Sequence, residues 1–345
     1  MTDVWGTPIA IYSFIAGAAV GSYIVAVLPV LFRVGELRDI APLALRLSWA
    51  SIVAITVPLL LHLGYPWRAY KIFTSPNFTS PMAVGAWLIT LLIILVTAIM
   101  VLDNWYRAIR ASTIAILSAI GLVLALLYAG YPGVLLATSK GVEAWWHNLA
   151  LPVLTILIAV ASGLALTLLA YIVLWRVIKM EVNKDVLVYG SKMLLLLLLL
   201  IFIFEVADAL VRAYEPKPGV AEFNKALMGP LGLSYIGFQL IIGTIVPLIL
   251  LLLLLSNRVP ASANIMLAIS ILVLIGAFTH KWNLIVGGEL VEMASTDVYI
   301  LGAPSIDLVE VLASLFSWLF LISLSLAVFS NWKVKVEVSG VEVRA

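Results

Sequence analysis

The sequence predicts an all-α integral membrane protein of about nine transmembrane helices: two four-helix bundles in parallel repeat plus one extra helix. Three observations carry that expectation. The 345 residues are 64% hydrophobic and only 11% charged, where a soluble domain carries about a quarter charged residues. With a mean hydropathy of +1.17, too little polar surface remains to face water, so lipid is the solvent for most of the exterior. Nine apolar runs are long enough to cross a hydrocarbon core of about 30 Å, and an offset of roughly 145 residues relates the first four to the next four.

The runs fall at 9–31, 43–64, 82–102, 112–130, 148–175, 187–211, 233–255, 262–280 and 308–330. The first is entered through Trp5-Gly6-Thr7-Pro8 and contains Gly17-Ala-Ala-Val-Gly21, a small-xxx-small spacing that suits close helix packing. The second ends on a polar stretch from His62 to Arg68. The third opens at Ser80-Pro81-Met82, and the fourth ends at Tyr128-Ala-Gly130, before a loop over 131–147. Trp146-His147-Asn148 leads into the fifth, whose Gly163 parallels Gly21. Glu205 to Arg212 forms the polar end of the sixth, matching the end of the second. The seventh follows Met228-Gly229-Pro230, and the eighth closes at His280. Four helices per unit is an even number, so both halves share one orientation. The expected organisation is a first bundle over 1–138, a second over 139–285, and an outer loop, ninth helix and tail over 286–345. The tail alternates Val with charged residues after Trp332 and reads as a solvated end.

An odd number of spans puts the termini on opposite faces. The face carrying the N-terminus, here called end A, holds seven lysines and arginines by this assignment, and the opposite face thirteen. The positive-inside rule then puts end A outside a plasma membrane and the C-terminus in the cytoplasm. The N-terminal segment lacks a basic n-region and a small-residue cleavage site, so the first stretch is expected to be retained. A net charge of +2 gives no reason to expect a nucleic-acid role, and the absence of cysteine removes thiolate-held zinc and iron–sulfur clusters.

Charged groups inside a bilayer are costly and usually functional or paired. Glu205, Asp208 and Arg212 share one face of the sixth span, where Asp208 and Arg212 can pair. Glu205 lies roughly 9 Å inside end A at about 1.5 Å per residue, and is open to two readings, a structural partner or a proton carrier. All three histidines, His62, His147 and His280, sit at span ends on end A. Their scatter argues against two stacked haems and gives no metal-ligand spacing; each is a helix-end anchor or part of a shared site. Tyr12 and Tyr128, each about one turn inside end A, are either aromatic-belt residues or hydrogen-bond donors to a buried ligand.

These residues form a recognisable series. Tyr12-Ser-Phe-Ile-Ala-Gly17, then His62-Leu-Gly64-Tyr-Pro66-Trp-Arg68, then Thr79-Ser80-Pro81-Met82 with Gly85 and Trp87 follow one another along the first half. Tyr128-Ala-Gly130, Trp146-His-Asn148 with Pro152, and Trp282-Asn283 with Gly287-Gly288 complete it. The series, over about residues 5–290, resembles the NrfD/PsrC-like membrane subunits of the polysulfide reductase family; His62 stands where many members have aspartate. The resemblance implies a quinol-oxidising or quinone-reducing anchor that takes a menaquinone-like quinone as bound substrate, with no haem or metal of its own. It implies partners on the outer face: a four-cluster, ferredoxin-like iron–sulfur subunit and a molybdopterin catalytic subunit of the polysulfide or sulfur reductase type. Quinol oxidation releases two electrons and two protons, so the ring oxygens need hydrogen-bonding partners. Tyr128 and His62 are the expected catalytic groups, with Glu205 as a proton carrier. Tyr12, Gly64, Arg68, Gly130, Trp146, His147 and Asn148 are the expected quinone-binding residues. A secondary transporter on a parallel repeat is the competing reading, which would place its site nearer the midplane.

Overall fold

A computed structural model describes residues 6–63, 65–105, 111–138, 146, 148, 150–214, 220–229, 231–288 and 308–328. Among these residues nine helices are long and apolar enough to cross a membrane, and no strand occurs. They are α1 (Thr7–Leu31), α2 (Ala41–His62), α3 (Pro81–Trp105), α4 (Ala111–Thr138), α5 (Leu151–Val177), α6 (Lys184–Tyr214), α7 (Leu233–Leu255), α8 (Ala263–Gly287) and α9 (Leu308–Val328). The tail after Trp332 lies outside the described residues.

Two helices run past their expected ends. α4 continues through Tyr131, Pro132 and Gly133 to Thr138. A Pro-Gly cluster stops a helix in water, but in lipid an unwound backbone would leave its polar groups without partners, so the helix persists. α8 continues through Lys281 and Asn283 and finishes as a π-helical segment, Asn283–Gly287. Lys281, assigned from sequence to an end-A loop, is therefore inside the span, 2% exposed.

α1 packs on α2, α4 and α5, and α3 bridges α2 and α4, which closes a ring of four. α5, α6, α7 and α8 form a second ring, each touching its neighbours in turn, and α9 lies along α2. Trp318 of α9 donates its Nε1–H to Ser51 Oγ at 2.7 Å, holding the ninth helix to the first ring. Lipid tails are as apolar as leucine, so helix association depends on close packing. Glycine supplies it at two crossings. A Cβ placed on Gly21 would lie 2.7 Å from the Ala159 carbonyl carbon and 3.0 Å from Gly163 Cα, so α1 and α5 meet backbone to backbone. Gly243 and Gly276 do the same for α7 and α8, where a Cβ on Gly276 would lie 2.9 Å from the Gly243 carbonyl carbon. Gly21 and Gly163, equivalent in the expected repeat, are thus in contact. We propose the division at 138 and 285 on this packing.

Candidate functional site

Polar groups gather at end A in two places, one in each ring. In the first ring Tyr12 of α1 and Tyr128 of α4 meet with their hydroxyl oxygens 2.7 Å apart. Tyr128 is 2% exposed, and Tyr12 is half-buried. Tyr131, one turn further along α4, stacks on Tyr128 with ring centroids 5.8 Å apart. Room for the Tyr131 ring comes from Gly85 of α3, where a Cβ would lie 2.6 Å from its Cε1. Three helices thereby set the orientation of one phenol pair. Because α4 runs on to Thr138, Tyr128 lies between two and three turns inside the helix end, deeper than the single turn expected.

The other expected residues of this site are distributed differently. His62 ends α2, half-buried. Arg68 stands on the exposed turn Pro66–Arg68, its guanidinium 4.9 Å over the Tyr65 ring. Gly64 and His147 lie outside the described residues. Gly130 leaves no slot for a flat ring: a Cβ there would be 3.3 Å from Ile156 Cδ1 and 3.7 Å from the Pro152 carbonyl oxygen of α5. It is a helix contact, and Gly133 extends it by one turn, where a Cβ would lie 2.5 Å from Pro152 Cα.

Trp146 and Asn148 belong to the second ring. The Trp146 indole is buried and donates to the Leu284 carbonyl at 2.7 Å. This bond ties the segment before α5 to α8 across 138 positions in sequence. Asn148 donates its Nδ2–H to Asp208 Oδ1 and accepts the Ala150 N–H at 2.8 Å, bending the chain into α5. The side chain of Arg212, the expected partner of Asp208, lies outside what is described.

Beneath Asn148 and Asp208 is a buried network. Gln239 of α7, the chain's single glutamine, donates Nε2–H to Glu205 Oε1 at 2.7 Å. Its Nε2 is also 3.2 Å from His280 Nδ1, and its Oε1 accepts from Asn283 Nδ2 at 2.8 Å. Glu205 and His280 approach to 3.7 Å. Two π-helical segments, Leu233–Ile245 and Asn283–Gly287, carry Gln239 and Asn283. A π turn shifts register by one residue and often marks a functional position; here Thr244 Oγ1 bonds the Gln239 carbonyl at 3.2 Å, five residues back. Asn148, Asp208, Tyr235 and Asn283 close a cavity of about 30 Å³ over Glu205, Gln239 and His280. A second void of about 20 Å³, bounded by Leu198, Val273, Gly243, Gly276 and Thr244, lies on the other side of the same three residues.

Among the described residues no group of three His, Asp or Glu side chains has a metal-binding arrangement. Sequence reasoning marked Glu205 and left His280 between a helix-end anchor and a shared site. It overlooked Gln239, whose only signal was being the one amide in the seventh apolar run.

In comparisons with known proteins, the family described as polysulphide reductase, NrfD, matches residues 1–293. "Protein NrfD" of Escherichia coli (strain K12) is 28% identical over 189 residues, covering 48% of this chain and 59% of that protein. The chain thus spans less than two thirds of the length of the relative it matches.

Proposed function

The chain belongs to the polysulphide reductase NrfD family of membrane subunits of redox complexes, and on that premise we propose that it exchanges electrons between a membrane quinone and an iron–sulfur partner. The observation that carries this reading is the Tyr12–Tyr128 pair. When two phenols share one hydrogen bond, one hydroxyl donates to the other, and the second O–H stays available to a new acceptor. A quinone carbonyl is such an acceptor, and the surroundings of the pair, Tyr131 and the apolar faces of α1 and α4, suit a flat neutral ring. Tyr12 is the less buried of the two, so the ring reaches the pair from the Tyr12 side.

Each quinol releases two electrons and two protons. With no cysteine in the chain, the electrons pass to the partner's clusters and on to a molybdopterin subunit of the polysulfide or sulfur reductase type. The protons leave toward end A, where His62 at the end of α2 is a basic group that can receive them. Lysine and arginine asymmetry supports end A facing outward, and moving Lys281 from loop to helix interior sharpens it. Exposed Tyr65, Trp67, Arg68 and Tyr70 give the 65–70 turn the aromatic and basic surface a partner on that face would meet.

The test is quinone content and labelling. The purified complex, extracted with organic solvent, should yield about one menaquinone-like molecule per chain, and a photoreactive quinone should label peptides of α1 and α4. Absence of quinone, with label scattered over lipid-facing helices, would contradict the reading.

A further inference from the structure

We propose that Glu205, with Gln239 and His280, forms a water-wetted, proton-storing site inside the second ring and separate from the tyrosine pair. It does not depend on quinone chemistry. Two observations carry it: a pair of unpartnered polar atoms and the voids lined by their side chains.

Glu205 Oε2 and His280 Nε2 are buried without a hydrogen-bond partner among the described residues, on side chains 5% and 7% exposed. Burying such groups unpaired is costly, and most costly for a charged one. Both side chains line both voids. Voids of about 30 and 20 Å³ exceed the roughly 10–15 Å³ that one water centre needs, and are far too small for a ring ligand. Water is therefore the molecule that fits. It can donate to Glu205 Oε2 and accept from or donate to His280 Nε2.

The network also fixes where a proton binds. Asn283 donates to Gln239 Oε1, which orients the amide so that its Nε2–H faces Glu205 Oε1 and His280 Nδ1. With Nδ1 accepting, a neutral His280 carries its own proton on Nε2. Glu205 Oε1 is held by Gln239, so an incoming proton binds at the unpartnered Oε2. Loading it breaks none of the existing hydrogen bonds, which is what a storage site requires. The other titratable groups around the pair are Asp208 on α6 and Tyr235 on α7, both lining the outer cavity. Lys281 follows His280 but projects to the other side of α8, where its Cε is 4.0 Å from a Cβ placed on Gly17 of α1.

Exchange with end A runs through the outer cavity. The outer cavity reaches Asn148 and Asp208 there, whereas the inner void is walled mainly by Leu198, Ile201, Val273 and Ala277.

Infrared difference spectra of the purified full-length protein, taken as the pH is stepped and on exchange into heavy water, test this. The expected result is a titrating protonated-carboxyl band that responds to heavy water. It should be lost in Glu205→Gln, displaced in frequency in Gln239→Leu, and unchanged in Tyr128→Phe. If Glu205→Gln fails to fold, Glu205→Asp should keep a carboxyl band at a new frequency. A band that survives Glu205→Gln, or no titrating band in the wild type, would overturn the proposal. A band that follows sodium concentration rather than pH would make this a cation site and overturn it as well.

Discussion

The two polar regions at end A are built from opposite materials. In the first ring two phenols from α1 and α4 meet at 2.7 Å with aromatic neighbours and no charged side chain in the pair. In the second, a carboxylate, an imidazole and an amide from α6, α7 and α8 interlock around water-sized voids. A neutral hydroxyl pair offers one directional hydrogen bond and is cheap to leave exposed to lipid. A carboxylate network is costly to bury, and is held only because two π segments and a deep helix end aim its partners inward. The contrast suggests a division of labour: the first ring meets a flat neutral molecule, the second keeps a proton.

The largest effect should come from the helix crossing both regions share. Gly163→Val places side-chain atoms where α1 backbone already sits. Overpacking costs typically about 1–3 kcal/mol, and a backbone clash should exceed that range. Little folded protein should survive detergent extraction; a near-wild-type thermal transition would mean that the rings do not meet there. Asn148→Ala should be milder and confined to one region. It removes a hydrogen bond to a charged group, about 1.5–3 kcal/mol, and should lower thermal stability while leaving the quinol KM unchanged. An altered KM would return Asn148 to the quinone site expected from sequence. Trp146→Phe removes the indole bond to Leu284 and keeps an aromatic ring in place. Interhelical hydrogen bonds in membranes average about 0.6 kcal/mol and reach about 1.7, so a small fall in melting temperature, with quinol kinetics intact, is expected.

What could be read in advance follows from what lipid allows a sequence to hide. All nine helices were legible because an apolar run of that length has no stable alternative in a bilayer. The C-terminal ends of α4 and α8 were not. Tyr131-Pro132-Gly133 looks like a turn, and Lys281 like a loop residue, unless it is known that α5 packs against Gly133 and that Lys281 turns inward. Tyr12 and Tyr128 were marked by residue type and depth, although their contact spans 116 positions in sequence. Trp146 and Asn148 were marked as well, but in the wrong neighbourhood, because nearness in sequence to Tyr128 hid their packing on α8 and α6. Gln239 gave almost no signal: one uncharged amide barely lowers the hydropathy of its span, yet it joins three helices.

The central claim, that the phenol pair serves the quinone, is tested most directly by Tyr128→Phe measured in two assays on the same preparation. The substitution removes one hydroxyl and keeps the ring stacked on Tyr131, so assembly should be intact. If that hydroxyl orders a hydrogen bond to a quinone oxygen, its loss should cost about 1–3 kcal/mol, or roughly ten- to a hundredfold in quinol-linked turnover efficiency. Electron transfer from an artificial dye to the partner subunits should stay at the wild-type level. Equal activity in both assays, with unchanged affinity for a quinone-site inhibitor, would contradict the account and leave Tyr128 a packing residue.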